Sequence, residues 1–316
     1  MKKINENLKG LAKDHKGEVR EIVPLDPNEP VEICGKQISR KEYEALADIA
    51  QLTGSTPEDD YMEDLFTIRS GKVRELRIES SELSEIPESI GNFDGLRKLE
   101  IVGTSVECIP ATIGNLKSLS SLDLSANNIT SLPGTIGNLV NLKKLDVSSN
   151  NLASLPISVY GIGGLEELDV SSNSLSLIPK EISGLNGLRA LDTNSNKLSS
   201  VPDEIGCLTR LETIDFSDNA IAQIPDSVGN LKDLETLYLD NNILSSLPPA
   251  LANMESLEEL YINNNKLTSI YDVAKDLGLK ELHAYKNRLP KAEKTKLRKL
   301  DGNVILSEPR EVGYMF

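Results

Sequence analysis

The feature that most constrains this chain is an interval of 23 residues that repeats across most of its length. Eight prolines mark it, namely Pro87, Pro110, Pro133, Pro156, Pro179, Pro202, Pro225 and Pro248. One frame recurs between them, as in the segment from Leu119, LSSLDLSANNITSLPGTIGNLVN. Its apolar residues stand at frame positions 1, 4, 6, 11, 14, 18 and 21, with Asn at 9 and Pro at 15. An interval this constant predicts stacked structural units, each of which contacts only its neighbours.

The frame resembles the leucine-rich-repeat consensus, L-x-x-L-x-L-x-x-N-x-L. Eight full copies start at Val73, Leu96, Leu119, Leu142, Leu165, Leu188, Leu211 and Leu234. A ninth copy starts at Leu257, with Tyr271 in place of the proline, and a truncated tenth starts at Leu279. The segments LDLSANNI and LPGTIGNL are similar to the cytoplasmic repeats of scribble and erbin, of the Ras-group-related leucine-rich-repeat proteins, and of bacterial and archaeal arrays. This resemblance covers residues 73–289 and implies a protein-binding scaffold, commonly one that binds signalling enzymes or small GTPases.

Within each copy, apolar positions 4 and 6 alternate with polar positions 3, 5 and 7, which is the period of a strand with one buried face. We therefore expect an α/β solenoid, a right-handed horseshoe with a concave parallel sheet of about ten strands that grows by roughly 4.8 Å per unit. The convex connections are too short for long helices, so 3₁₀ or single-turn segments are predicted there. Stacked Asn side chains at position 9 can satisfy the buried turn backbone, since a carboxamide both donates and accepts. This predicted structural ladder consists of Asn127, Asn150, Asn173, Asn196, Asn219, Asn242, Asn265 and Asn287.

Three regions are predicted, namely an N-terminal segment with a capping helix and hairpin (1–72), the repeat array (73–289), and a C-terminal cap and tail (290–316). An uncovered end would expose apolar side chains and an unpaired strand edge, both of which favour aggregation. The stretch VEICGKQI predicts a hairpin around Gly35 and Lys36, and Ser39 with Glu42 forms a capping box that opens the helix. At the other end, KAEKTKLRKL predicts a helix after Pro290, and NVIL predicts a last strand.

Charge and cysteine content narrow the functional classes. The formal net charge of −15 disfavours nucleic acid and anionic membranes as partners, and favours a protein or peptide with a basic segment. Residues 1–20 hold no apolar run of signal-peptide length, and no later stretch is apolar enough to insert into a membrane. The three cysteines, Cys34, Cys108 and Cys207, are scattered and do not form the clusters that staple extracellular repeat caps. A reducing, cytoplasmic location is therefore expected.

The candidate binding residues lie on the concave face, mostly at frame position 5. They are Asp123, Asp146, Asp169, Asp192, Asp215, Tyr238, Tyr261, His283 and, at position 7, Tyr285. The five aspartates repel their neighbours by roughly 1 kcal/mol per pair in water, which suggests a ladder that attracts lysine and arginine. Alternatively, each aspartate only bonds to an adjacent Ser hydroxyl or to the backbone. The aromatic residues suggest an interface hot spot, or alternatively cross-strand stacking that only stabilises the sheet.

Little in the sequence indicates catalysis. His283 is the only imidazole on the predicted concave face, and no Ser or Cys nucleophile accompanies it. No zinc-ligand spacing occurs, so we expect no metal, no cofactor and no catalytic residue. The leading hypothesis is a non-enzymatic protein-binding scaffold that acts in intracellular signalling. The alternatives are an enzyme with an unrecognised activity in the N-terminal region, and a purely structural spacer.

Overall fold

The computed structural model describes residues 12–13, 19–20, 26–54, 56, 64–79, 83–300 and 302–307. Sixteen strands lie in this part of the chain. They are β1 (Ala12–Lys13), β2 (Val19–Arg20), β3 (Pro30–Ile33), β4 (Lys36–Ser39), β5 (Phe66–Arg69), β6 (Lys72–Ile78), β7 (Lys98–Ile101), β8 (Ser121–Asp123), β9 (Lys144–Asp146), β10 (Glu167–Asp169), β11 (Ala190–Asp192), β12 (Thr213–Asp215), β13 (Thr236–Tyr238), β14 (Glu259–Tyr261), β15 (Glu281–His283) and β16 (Asn303–Ile305).

The twelve strands from β5 to β16 form a single sheet, in which each strand pairs with the strands that precede and follow it in the chain. All pairs from β6 to β16 are parallel, whereas β5 joins β6 in antiparallel orientation. The repeats supply the ten strands from β6 to β15, and the flanking segments add β5 and β16. The predicted solenoid is confirmed, with one more strand at each end than the repeat count gave.

Eight 3₁₀ segments of five residues each alternate with the strands, as the short convex connections predicted. They are Glu88–Asn92, Ala111–Asn115, Gly134–Asn138, Ile157–Gly161, Lys180–Gly184, Asp203–Cys207, Asp226–Asn230 and Pro249–Asn253. The repeat proline directly precedes each one, with φ between −76° and −64°. Because the pyrrolidine ring fixes φ near this value, the proline sets the direction in which each segment starts.

The core follows the frame from coil to coil. Leu122 and Leu124 at positions 4 and 6 are fully buried, as are Ile129, Ile136 and Leu139 further along the same coil. Leu122 pairs in register with Leu99 and Leu145 on either side, so equivalent side chains stack along the solenoid. Successive side chains of a strand point to opposite faces of the sheet. The side chains at position 5, between buried positions 4 and 6, therefore lie on the outer face.

The position-9 asparagines join consecutive coils. Asn196 Oδ1 accepts the N–H of Leu175 in the preceding coil at 2.9 Å. Its Nδ2 donates to the carbonyl of Val170 in that coil at 3.0 Å, and to Thr193 and Asn194 of its own coil at 3.1 Å each. The neighbouring asparagines repeat this pattern. In the second copy Thr104 stands at this position and bonds to Asn127, whereas Ser81 of the first copy lies outside the described residues.

The turn between each strand and its asparagine uses a left-handed backbone at frame position 8. Ala126 has a φ of 55°, and the same conformation recurs with Ser, Asp, Asn or Lys in the later coils. Gly103 takes this place in the second copy, with a φ of 67°. A left-handed backbone is sterically unfavourable for residues with a Cβ, less so for Asn and Asp, so the turn stores local strain in the coils that have Ala, Ser or Lys there.

Both ends of the array are covered. Hairpin β3–β4 and helix α1 (Arg40–Leu52) precede it, and buried Leu46 and Ile49 pack at its N-terminal end. Glu42 of α1 is 1% exposed, and its carboxylate accepts from Ser39 Oγ at 2.9 Å and from the N–H of Val73, in the first repeat strand, at 3.3 Å. One buried carboxylate thus ties the helix to the sheet.

The C-terminal cap consists of α2 (Tyr271–Ala274), α3 (Lys291–Leu297) and β16. Glu293 Oε1 accepts hydrogen bonds from Ser269 Oγ at 2.9 Å and from the N–H groups of Ile270 at 2.9 Å and Tyr271 at 2.8 Å. Leu297, also in α3, is fully buried. The predicted helix-then-strand cap is present, and Tyr271 starts a short helix where the earlier coils have proline and a 3₁₀ segment.

Candidate functional site

The outer face of the parallel sheet, called here the concave face, carries the predicted site residues in one row. Asp123 pairs in register with Asp146, and the row continues through consecutive strands to His283. All of these side chains are half-buried. The structure therefore brings the five aspartates and the aromatic residues together as one continuous surface, aspartates first and rings after them.

Each aspartate of the row is held by the residue two positions later. Asp123 Oδ1 accepts the N–H of Ser125 at 2.9 Å and its hydroxyl at 2.6 Å, and Asp146 receives the same pair of bonds from Ser148. Asp192 Oδ1 accepts from the N–H of Asn194 at 2.9 Å and from its Nδ2 at 2.8 Å. These bonds fix the carboxylates in place, which is the structural role that the alternative interpretation assigns to them.

Burial and mutual repulsion make several of these carboxyls weaker acids. Burial raises the pKa of Asp192 to about 6, with a further contribution from the charges of Asp169 and Asp215 beside it, against the hydrogen bonds from Asn194. Burial likewise raises the pKa of Asp146 and of Asp215, and it raises the pKa of Asp240 to about 6. The row is therefore most negative in neutral solution and loses charge in mildly acidic solution.

The aromatic end of the row is a stack of three rings. The Tyr238 and Tyr261 centroids lie 4.6 Å apart with planes inclined by 20°, and Tyr261 and His283 are 4.4 Å apart at 32°. The Tyr261 hydroxyl lies 3.1 Å from a carboxylate oxygen of Glu259 and 3.3 Å from one of Glu281. Glu281 also lies 3.1 Å from His283 Nε2. Burial, followed by the bond to Glu259, raises the pKa of Tyr261 above its usual range.

Tyr285 lies two residues beyond His283 and, among the described residues, makes no ring contact with the stack. Its N–H donates to Asn263 Oδ1 at 3.0 Å, and its side chain is half-buried. Tyr285 therefore borders the stack, whereas Tyr238, Tyr261 and His283 form it.

A depression of about 240 Å³ opens in the aspartate part of the row, beside Ala190. Ala190 stands at frame position 3, where the two preceding strands carry Lys144 and Glu167. Five carboxylates and one ammonium group line the depression, which Tyr238 borders at one end. The lining carboxylates are those of Asp146, Glu167, Asp169, Asp192 and Asp215. Because Lys144 pairs with Glu167 at 2.9 Å, an excess of negative charge remains over the depression.

This depression was not predicted from the sequence, although the small residue at frame position 3, Ala190, is a signal for it. The volume is below the roughly 300–1,000 Å³ of pockets that hold drug-sized ligands, so it has room for about one side chain. Within the described residues, no group of three or more His, Cys, Asp or Glu side chains is arranged to hold a metal ion. The same part of the chain contains no helix long and apolar enough to cross a membrane.

Comparisons with known families agree with this architecture. Residues 178–300 match the family model described as leucine-rich repeat region, and residues 94–152 and 164–185 match two further leucine-rich-repeat models. The chain is a leucine-rich-repeat protein. A search for sequence relatives among curated proteins finds no match to it.

Solved structures of other leucine-rich-repeat proteins are similar to this chain. One is a leucine-rich-repeat protein of Leptospira interrogans, with a TM-score of 0.71 and 30% identity over 73% of this chain and 60% of that one. Another is the ectodomain of the Arabidopsis thaliana membrane receptor kinase GASSHO1/SCHENGEN3, with a TM-score of 0.70 and 27% identity over 79% of this chain and 32% of that one. A third is the plant peptide hormone receptor RGFR1, with a TM-score of 0.56 and 27% identity over 76% of this chain and 48% of that one. The chain spans less than two thirds of each of these proteins.

The fold and these neighbours suggest a protein-interaction scaffold, as expected for the leucine-rich-repeat architecture. Because the same fold binds many different partners, the assignment of a binding site depends on the geometry of the row and not on the fold.

Proposed function

We propose that this leucine-rich-repeat protein is a non-enzymatic scaffold that binds a protein or peptide with a basic segment on its concave face. The observation that carries the proposal is the in-register row of Asp123, Asp146, Asp169, Asp192 and Asp215, which ends in the Tyr238–Tyr261–His283 stack, with Tyr285 beside it. The aspartates attract cationic side chains over a distance, and the rings provide the apolar, hydrogen-bonding contact area typical of hot spots.

The intramolecular bonds of the aspartates are compatible with this role. The bonds from Ser125, Ser148, Ser171, Asn194 and Ser217 all end on Oδ1 of the aspartate. A carboxylate offers about four lone-pair sites on its two oxygens, so Oδ2 is left for a partner. An aspartate held in this way is already ordered. Its side chain therefore loses less conformational entropy when it binds a partner's ammonium or guanidinium group. The structures of GASSHO1/SCHENGEN3 with CASPARIAN STRIP INTEGRITY FACTOR 2 and of RGFR1 with RGF2 are complexes, which supports peptide binding by related arrays.

The test is fluorescence anisotropy with a labelled ten-residue peptide of alternating Arg and Gly, and a Glu-Gly peptide of the same length. We expect saturable binding of the first peptide only, weakened by added salt. Asp169→Asn with Asp192→Asn should weaken it about threefold to tenfold, as expected when contacts worth roughly 0.2–1 kcal/mol each are lost. The matched control is Asp203→Asn with Asp226→Asn, which removes the same charge from exposed positions on the convex side.

Tyr238→Ala with Tyr261→Ala tests the aromatic half of the row. We expect weaker binding while the circular dichroism spectrum stays that of the wild type, because the rings are half-buried and outside the core. Equal affinity of the wild type and both concave-face double variants would refute the site. Equal affinity for the Arg and Glu peptides would refute the preference for basic partners.

A cytoplasmic location, and with it a role in intracellular signalling, is part of the same proposal. Cys108 and Cys207 are exposed free thiols, which fits a reducing compartment. Alkylation of intact cells before lysis should therefore modify the thiols of both Cys108 and Cys207. Recovery of a disulfide-linked form under these conditions would contradict this location.

A further inference from the structure

A second cavity, of about 290 Å³, lies on the rim of the solenoid where the chain enters β10 and β11. This rim cleft is separate from the concave face, because its residues occupy frame positions 22, 23 and 2, just before the strands. Its walls are three glycines and three cationic side chains, namely Gly163, Gly164, Gly187, Lys143, Arg189 and Arg210.

The glycines differ in whether the fold requires them. A Cβ on Gly187 would lie 2.7 Å from the carbonyl oxygen of Gly163, so close packing of adjacent coils excludes a side chain there. A Cβ on Gly164 would meet nothing closer than Lys143 Nζ at 3.8 Å, which is ordinary contact. Asn141 occupies the same frame position one coil earlier. The fold therefore accepts a side chain at residue 164, and its absence is what keeps the cleft open.

The charge of the cleft is opposite to that of the chain. Three cations line it against one carboxylate, Glu166, although the whole chain has a net charge of −15. Lys143 pairs with Glu166 at 2.8 Å, and Arg189 pairs with Glu212. Arg210 makes no ion pair or side-chain hydrogen bond within the described part of the chain, so its guanidinium group is available. The hydrogen bond from Lys143, with its charge and that of Arg189, lowers the pKa of Glu166, in keeping with a positive local potential.

Backbone donors add to this potential. The N–H groups of Gly164 and Gly187 donate to no acceptor among the described residues. Backbone N–H groups that line a concavity beside arginine are a recurrent arrangement for binding phosphate and carboxylate oxygens. A site without side chains lets an anion approach the backbone closely, which a Cβ would prevent.

We propose that the rim cleft binds an oxyanion, a phosphate or carboxylate group, through Arg210 and the N–H groups of Gly164 and Gly187, with Lys143 and Arg189 adding positive charge. This site acts independently of the concave face. It gives the array a second contact of opposite sign, suited to an acidic or phosphorylated segment.

The experiment is a titration of the ¹⁵N-labelled full chain with inorganic phosphate at constant ionic strength, with sodium chloride replaced in proportion. We expect saturable shifts of the Gly164 and Gly187 amide resonances, larger than those of Gly103 in its solvent-facing turn. Arg210→Gln should weaken binding about tenfold, the factor for loss of one charge-assisted hydrogen bond. Arg288→Gln, which removes one exposed positive charge elsewhere, should leave the affinity unchanged.

Gly164→Asn tests the role of the open cleft with a residue that the array already uses at this position. We expect an unchanged circular dichroism spectrum and no saturable phosphate shift at Gly187. Should this variant fail to fold, Arg210→Gln decides on its own. Unshifted glycine amides in the wild type, or equal losses in Arg210→Gln and Arg288→Gln, would overturn the proposal.

Two ten-residue peptides then distinguish the source of the oxyanion. One carries a single phosphoserine and the other a glutamate at the same place. Tighter binding of the phosphoserine peptide assigns a phosphorylated partner, and equal binding assigns a carboxylate. Asp192→Asn should alter neither affinity, whereas it weakens binding at the concave face, so the two sites can fail separately.

Discussion

Removal of one charge from the aspartate row should stabilise the protein, and Asp192→Asn is the change that shows it best. Folding raises the pKa of Asp192 from 3.8 to about 6. A difference of about two in pKa corresponds to roughly 3 kcal/mol for a fully buried group, at 1.36 kcal/mol for each pKa unit. Since the side chain is only half-buried, solvent screening reduces the expected gain to about 1 kcal/mol. The asparagine keeps an oxygen that can accept the N–H of Asn194, so the hydrogen bond survives.

The sign of the pH dependence follows from the direction of this shift. A carboxyl with a raised folded-state pKa binds more protons in the folded protein than in the unfolded chain, so stability rises as pH falls from about 6 towards 3.8. Asp192→Asn should therefore be more stable than the wild type at neutral pH, and the two should converge near pH 4.

The assay is urea-induced unfolding of both proteins at several pH values, followed by circular dichroism. Midpoints are compared, because a repeat array can unfold in parts and need not be two-state. Asp203→Asn, on the convex side, controls for the change in net charge. A lower midpoint for Asp192→Asn at neutral pH, or a gap that persists at pH 4, would show that the carboxylate is stabilising and that the reasoning is wrong.

Three further changes test the structure by the same unfolding assay. Glu42→Ala should destabilise the N-terminal cap by about 2–4 kcal/mol, because it leaves the N–H of Val73 and the hydroxyl of Ser39 without their acceptor, and an unchanged midpoint would contradict the tie between helix and sheet. Asn196→Ala should cost about 2–4 kcal/mol, since four backbone groups lose their partner, and a loss confined to a few tenths would show that water replaces it. Ala126→Gly should stabilise by roughly 0.5–1 kcal/mol through relief of a φ of 55°, and destabilisation would mean that chain entropy outweighs the strain.

The features that repeat were predictable from the sequence. Strand positions, 3₁₀ segments and the buried leucines follow from a pattern stated many times over, so one coil serves as evidence for the next. The caps were predictable as well, since Ser39 with Glu42 and Pro290 are local signals. The contact from Glu42 to Val73 was not, because it joins residues 31 positions apart that no repeat relates. The hairpin turn also lies one residue earlier than predicted, at Cys34 and Gly35, which both have positive φ.

In the candidate site, too, the repeated features were predictable and the unrepeated ones were not. The row of aspartates and rings could be read from frame position 5, because a parallel sheet in register places equivalent residues side by side. The depression at Ala190 and the cleft at Gly164 could not, since each arises where one coil lacks a side chain that its neighbours carry.

The 23-residue repeat specifies the structure that all coils share, whereas selective binding of one partner requires residues that differ between coils. In a solenoid built by addition, the residues that break the frame without cost to packing are therefore the first ones to examine for function. Ala190 and Gly164 meet this condition, and they lie two coils apart, in the copies that start at Leu188 and Leu142, on surfaces of opposite charge. A partner that presents a basic side chain and an oxyanion at the matching separation would bind both surfaces at once. The linked affinity would then exceed either affinity alone, in proportion to the effective concentration that the tether imposes.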